Sequence, residues 1–259
     1  MSDRRPVASV IVPTYREAPN LTELIERVFT AAESRGCPVE MIVVDDDSND
    51  GTDRVIEAMT PRFPVRLVVR RGQRGLSGAV LEGFAYAGSD RFVVMDADLQ
   101  HPPELIPDLL ERLSRPGCDF VLASRYEGSA SIAGRWPRHR RLASRLATLL
   151  ARPLAPVSDP MSGFFALHRR VWERAGTVRP RGFKIALELF VRGRCRHPEC
   201  VPMKFDARHA GESKLGRRQQ WQYLVQIARL YAFRFPLMVF GVTITFILAL
   251  VVILVRNLA

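Results

Sequence analysis

Cysteine is sparse in this chain. Cys37, Cys118, Cys195 and Cys200 are scattered over 259 residues without the spacing of a disulfide framework, which favours reduced thiols and a fold held by its core. Cys195, His197 and Cys200 invite a zinc reading, but no fourth ligand lies near them in sequence. No signal peptide is expected, because Val7–Val12 is too short an apolar run and leads straight into Pro13-Thr14-Tyr15. Internal repeats and low-complexity tracts are missing. So are the Walker-type phosphate loop and the Gly-x-Gly-x-x-Gly dinucleotide fingerprint. A secreted disulfide scaffold, a repeat array, a P-loop enzyme and a dinucleotide enzyme are thereby set aside. Lysine is scarce too, yet the formal net charge is +11, so arginine supplies most of it. Arginine is the side chain best shaped to fork onto phosphate oxygens, and the excess implies a phosphate-rich partner.

Hydrophobic content of 47% and charged content of 25% are ordinary for a globular chain with a full core. Short apolar runs alternate with helical stretches over the first half. Strands are expected at Val7–Val12, Met41–Val44, Val65–Val69, Phe92–Met95 and Phe120–Ala123, with helices near Asn20–Glu33, Thr52–Met59, Ser77–Ala87 and Pro103–Leu113. Strands that read as continuous apolar runs between helices predict a parallel sheet covered on both faces. Ligands of such sheets bind beyond the carboxyl ends of the strands.

Four strand ends carry polar groups. They read Val12-Pro13-Thr14-Tyr15-Arg16-Glu17, then Val44-Asp45-Asp46-Asp47-Ser48-Asn49-Asp50-Gly51-Thr52, then the basic, glycine-rich stretch Arg70–Gly78, and finally Asp96-Ala97-Asp98-Leu99-Gln100. Asp96, Asp98 and Gln100 offer hard oxygen ligands to one small cation such as Mg²⁺ or Mn²⁺. An Asp-rich turn capping the helix near Pro103 is the competing reading. Carboxylates after the second strand can accept hydrogen bonds from a ribose or base, while Arg70, Arg71 and Arg74 can neutralise phosphate. The set suits a nucleoside diphosphate attached to a transferable group.

At these residues the sequence resembles the GT-A-fold glycosyltransferases of family 2, and within them the dolichol-phosphate mannosyltransferases and bacterial polyprenyl-phosphate relatives. The resemblance runs to about Leu215 and rests on VPTYRE (12–17), VDDDSNDGT (44–52), GLSGA (75–79), DADLQHPPE (96–104), ASRY (123–126), DPMSGFFALHR (159–169), GFKIALEL (182–189) and FDARHAGESKL (205–215). It implies an α/β, Rossmann-like GT-A domain over 1–215 with a mostly parallel sheet and helices on both faces. It further implies that Asp96, Asp98 and Gln100 hold Mg²⁺ or Mn²⁺, and that Pro13, Tyr15, Glu17, Asp46 and Asp96 line a nucleotide-sugar pocket. Arg208 would close on the diphosphate. Arg125, Arg140 (or its neighbour Arg141) and Ser144 would hold a lipid phosphate, with Asp98 and Arg125 as the catalytic pair.

The implied reaction moves a hexose, mannose from GDP-mannose before glucose or N-acetylhexosamine from a UDP-sugar, onto polyprenyl or dolichyl phosphate with inversion. A nucleic-acid-binding protein is disfavoured because aromatics do not interleave with the arginines. A non-catalytic tethered homologue is disfavoured by the intact Asp96/Asp98/Gln100 trio.

The last stretch is different in kind. Pro236–Val255 carries no charge and would extend about 30 Å as a helix, the thickness of a bilayer core, so a single C-terminal membrane span over 236–255 is expected. Most Arg and Lys precede it, which places the large domain on the cytoplasmic side. Between them, 216–235 is expected as an amphipathic helix with the stripe Trp221, Leu224, Val225, Ala228, Tyr231, Phe235. It either packs on the core or lies in the headgroup layer, the latter being favoured.

Overall fold

The computed structural model describes residues 5–128, 131–132, 146–178, 184–205 and 217–238. The first half alternates strictly: β1 (Ala8–Thr14), α1 (Ala18–Ser34), β2 (Val39–Asp45), α2 (Thr52–Met59), β3 (Val65–Val69), α3 (Leu76–Tyr86) and β4 (Arg91–Val94). A short 3₁₀ turn leads into α4 (Ile106–Leu113), followed by β5 (Phe120–Ser124) and β6 (Ser131–Ile132). Then come helix α5 (146–151), β7 (Phe165–His168), α6 (Arg169–Ala175), α7 (Ile185–Arg192), β8 (Glu199–Pro202), β9 (Lys204–Phe205) and α8 (Arg217–Arg234).

Seven strands form one sheet in the order β3-β2-β1-β4-β7-β5-β8, and β6 pairs with β9 apart from it. Every pairing in the main sheet is parallel except those of β7, which runs antiparallel to both β4 and β5. That reversal matters for the site. The turn that precedes β7 reaches the same edge as the carboxyl ends of β4 and β5, so residues 159–164 enter between the Asp96 loop and Arg125.

The strands are apolar throughout because both faces are covered. Ile11, Ile42, Val44, Phe92 and Phe165 pack with Val80, Phe84, Val171, Leu189 and Ile227 on one side. Val10, Val12, Met41, Val43 and Val93 pack with Leu21, Leu24, Ile56 and Leu109 on the other. Phe84 stacks on Phe92 with ring centroids 4.6 Å apart, joining α3 to the middle of the sheet.

The five expected strands are all present, with ends that agree to within two residues. The expected stripe of α8 divides between exposed and half-buried positions. Tyr223, Gln226, Ile227 and Leu230 are the buried residues, while Trp221, Leu224 and Ala228 face away from the protein. The helix is apolar on two faces, and hydrogen bonding decides which one packs: the Tyr223 hydroxyl donates to the Ala147 carbonyl at 2.6 Å, and Gln226 bonds to α7. Among the described residues no helix is long and apolar enough to cross a membrane, and most of the 236–255 run lies outside them.

Candidate active site

Register sets the site. Thr14 at the end of β1 pairs with Asp45 at the end of β2, and Ile11 pairs with Val94 of β4, so the loops after all three strands emerge side by side. Together with the loop before α3 they enclose a cleft of about 310 Å³ lined by Pro13, Tyr15, Glu17, Asp46, Arg74, Asp96 and Asp98, among others. That volume is at the lower end of small-ligand sites, roughly 300–1,000 Å³. Six residues chosen from sequence for the donor and metal, Pro13, Tyr15, Glu17, Asp46, Asp96 and Asp98, thus share one cavity.

The loops are held by their own polar groups. Asp45 accepts from the Ser48 amide and hydroxyl at 2.7 and 2.5 Å and from the Thr14 hydroxyl at 3.0 Å. Glu17 accepts from the Asn20 amide at 2.7 Å, at the start of α1. Arg16, Asp47, Asn49 and Leu99 adopt left-handed backbone, with φ of 61°, 55°, 51° and 60°. For a buried leucine this is uncommon, and such strain gathers where surrounding packing enforces a functional loop. At Leu99 it reverses the chain between Asp98 and Gln100, and the Gln100 amide donates to Asp98 Oδ1 at 3.2 Å.

One sequence expectation is corrected here. Arg70 is not offered to a phosphate. It is 8% exposed and donates to Asp46 Oδ1 at 2.6 Å, while the Gly75 amide donates to Asp46 Oδ2 at 2.6 Å. Gly78 has no side chain where a Cβ would collide with the Arg70 guanidinium. Burial still holds the Asp46 carboxyl above its ordinary pKa, although Gly75 and Arg70 pull it back. Arg74 is the arginine of this stretch that reaches the cleft, its guanidinium 4.7 Å from the Tyr15 ring centroid. Arg70→Leu is therefore expected to cost about 3–5 kcal/mol of stability by stranding Asp46, read by denaturant unfolding. Arg74→Ala is expected to leave stability within about 0.5 kcal/mol and to weaken nucleotide binding.

The Asp96 loop rests on His101. The Asp96 amide donates to His101 Nδ1 at 3.0 Å, which puts the ring proton on Nε2, and the ring stacks on Phe164 at 5.3 Å. Burial drives the His101 pKa down to about 4, so the ring is neutral at physiological pH. A Cβ at Gly163 would stand 3.3 Å from the His101 ring and 3.4 Å from Asp96 Oδ2, so the turn before β7 runs close against both.

Arg125, at the end of β5, is held as rigidly. Its Nε and one terminal nitrogen donate to the two oxygens of Asp159 at 2.7 and 3.0 Å, and Asp159 is fully buried. The Arg125 guanidinium also lies 5.3 Å from the Phe205 ring centroid. Asp159, His101, Gly163 and Lys184 received no role from sequence. A charged residue inside an otherwise apolar stretch, as Asp159 is, was the available signal. Arg140, Ser144 and Arg208 lie outside the described residues.

A mostly parallel sheet with this carboxylate-bearing edge and one reversed strand is the GT-A, Rossmann-like architecture of glycosyltransferases. The chain belongs to glycosyl transferase family 2, whose sequence model matches residues 9–176. It is 42% identical over 258 residues to a dolichol-phosphate mannosyltransferase of Mycosarcoma maydis, covering 96% of this chain and 85% of that one. Its identity to the dolichol-phosphate mannosyltransferase of Saccharomyces cerevisiae is 43% over 236 residues, covering 88% of each. A crystal structure of glucosyl-3-phosphoglycerate synthase from Mycobacterium tuberculosis with Mn²⁺, UDP and phosphoglyceric acid shares the fold. It superposes with a TM-score of 0.65 at 21% identity, covering 88% of this chain and 78% of that one.

Proposed function

We propose that this glycosyltransferase moves mannose from GDP-mannose to a polyprenyl or dolichyl phosphate. The observation that carries this reading is the near-full-length identity to dolichol-phosphate mannosyltransferases, 42% over 96% of the chain. The site is consistent with it: a carboxylate-lined cleft and a half-buried arginine, paired with Asp159, lie on one sheet edge.

The acceptor's second phosphate pKa lies near 6 by analogy with phosphoserine, so its oxygen is already a nucleophile at neutral pH and needs no base. That oxygen bonds to the anomeric carbon as the bond to GDP breaks, and GDP leaves with the electron pair, inverting the centre. Arg125 orients the incoming phosphate, with Arg140 and Ser144 as further ligands and Arg208 over the diphosphate. Pro13, Tyr15, Glu17 and Asp46 hold the nucleotide sugar.

Asp96, Asp98 and Gln100 form an all-oxygen donor set, and no third His, Cys, Asp or Glu joins them among the described residues. That fits a Mg²⁺ or Mn²⁺ site completed by substrate phosphates and water. When bound, the cation supplies positive charge to the departing diphosphate.

A bilayer partner is part of this reading, with 1–215 as the catalytic domain, 216–235 as an interfacial helix and 236–255 as a membrane span. Trp221 is 67% exposed and Leu224 48%, on the face of α8 opposite its buried residues. Leu146, Leu149 and Leu150 of α5 are exposed as well. Tyr223 and Tyr231 bond to backbone carbonyls of α5, so the two helices travel together. An apolar surface of this kind suits a headgroup layer. A cavity of about 450 Å³ lined by Tyr126, Thr148, Leu149, Arg152 and Ser158 has room for the first isoprene units.

The test is transfer of radiolabelled sugar to one polyprenyl phosphate from GDP-mannose, UDP-glucose and UDP-N-acetylglucosamine in parallel. Labelled lipid from GDP-mannose at least 100-fold above the others is expected. Preference for either UDP-sugar would assign a different donor.

A further inference from the structure

The contacts along α8 fix how it lies between its two neighbours. On one flank the Tyr223 and Tyr231 hydroxyls donate to the Ala147 and Leu150 carbonyls of α5, so α5 and α8 run in the same general direction. On the other flank Gln226 donates to the Lys184 carbonyl at the start of α7, and the Arg192 guanidinium at its end lies 5.1 Å from the Phe233 ring centroid. α7 therefore runs the same way as well. The carboxyl ends of all three helices point toward the place where the chain enters the charge-free stretch 236–255.

Each of those ends carries arginine. Arg152 directly follows α5, Arg192 closes α7, and Arg229 and Arg234 lie in the last turns of α8. Negative charge is scarce around them. No Asp or Glu occurs from 216 to 259. Glu188 pairs with Arg192 at 3.1 Å, whereas no carboxylate among the described residues forms an ion pair with Arg152, Arg229 or Arg234. Between these arginines the surface is apolar: Phe233, Leu237 and Met238 are exposed, Leu237 by 84%, next to the outer residues Trp221 and Leu224 and the α5 leucines.

An apolar face rimmed by guanidinium groups fits the boundary of a bilayer, where rings and aliphatic chains enter the acyl layer and the charges stay at the level of the phosphates. Arg192 over Phe233 has that arrangement in one pair. Arginine forks onto phosphodiester oxygens, and arginines lacking a carboxylate partner favour a leaflet with net negative charge by roughly fivefold each. We propose that the apolar face of α5 and α8, with its rim of Arg152, Arg192, Arg229 and Arg234, binds the headgroups of anionic phospholipids in preference to zwitterionic ones. The proposal rests on the bilayer part of the functional reading and is independent of the sugar transferred.

Full-length protein in nonionic micelles carrying brominated phosphatidylglycerol or brominated phosphatidylcholine tests it. Quenching of Trp221 fluorescence is the readout, with Trp221→Phe giving the background from the other tryptophans. Half-maximal quenching is expected at a mole fraction of phosphatidylglycerol about tenfold below that of phosphatidylcholine, and the gap is expected to narrow in about 0.5 M NaCl. Arg229→Gln combined with Arg234→Gln, which leaves the Arg192–Glu188 pair in place, is expected to bring the preference to about threefold or less. If that variant does not fold, Arg229→Gln alone is read for a smaller loss in the same direction. Equal quenching by the two lipids, or a preference that the arginine replacements leave unchanged, would overturn the proposal. Arginines that only answer the helix dipoles would lower the melting temperature when replaced and leave lipid preference untouched. Self-association in micelles with no quenching by either lipid would assign the face to a second copy and overturn it too. Wild-type transfer from GDP-mannose to polyprenyl phosphate, measured in the same micelles, keeps the two readings apart. Absent transfer with a clear phosphatidylglycerol preference refutes the donor and acceptor assignment alone, and active transfer without that preference refutes only the headgroup site.

Discussion

Replacing Asp98 with asparagine is expected to reduce sugar transfer on the order of 10³-fold, with the fold intact. Asp98 is 5% exposed and its Oδ1 accepts the Gln100 amide, so an isosteric amide fits the same space. What it loses is charge. A diphosphate leaving group develops negative charge as the anomeric bond breaks, and a site with one carboxylate holds a divalent cation poorly. Two measurements separate this from general damage. Mn²⁺ titrated into protein with GDP is expected to bind at least 100-fold more weakly to Asp98→Asn, whereas thermal unfolding without metal is expected to move by no more than a few degrees. Turnover within tenfold of wild type would remove Asp98 from the chemistry.

The second large effect is expected at Arg125, and it concerns stability and function at once. Arg125→Ala leaves Asp159 fully buried beside no partner guanidinium, a situation that costs about 3–5 kcal/mol. At about 2–4 °C per kcal/mol for a chain of this size, the melting temperature should fall by roughly 6–20 °C. The double replacement Arg125→Ala, Asp159→Ala removes both charges and is expected to recover most of that loss. It should recover none of the transfer to lipid phosphate. Arg125→Lys separates the two roles further: the charge stays while the forked geometry goes, so acceptor KM rises roughly tenfold with donor KM unchanged. Restored transfer in the double variant would show that Arg125 serves only to neutralise Asp159.

The donor half of the site was legible because each of its residues follows a strand. Pro13, Tyr15, Glu17, Asp46, Asp96 and Asp98 sit directly after apolar runs long enough to be buried strands, and parallel strands deliver their carboxyl ends to one edge. The acceptor half was harder to read. It depends on β7, four residues whose pattern Phe165-Ala166-Leu167-His168 has no periodicity that announces a strand, still less a reversed one. Without that reversal Asp159 has no reason to meet Arg125. α7 was equally opaque, since Ile185–Val191 is apolar except at Glu188 and shows no polar face. Arg70 illustrates the opposite error. Three arginines near a glycine-rich loop read as phosphate ligands, but which of them faces the cleft depends on Asp46 being buried within reach of one. In α8 both faces are apolar, and only the partners of Tyr223 and Gln226 decide which one packs.

Anomalous diffraction from crystals of the protein grown with Mn²⁺ and GDP would bear most directly on the central claim, that the Asp96–Asp98 loop presents a cation to the leaving diphosphate. The expected result is a single manganese peak within coordinating distance of carboxylate oxygens from both residues and of a GDP phosphate oxygen. A peak elsewhere, or GDP bound with both carboxylates turned from any ion, would contradict it.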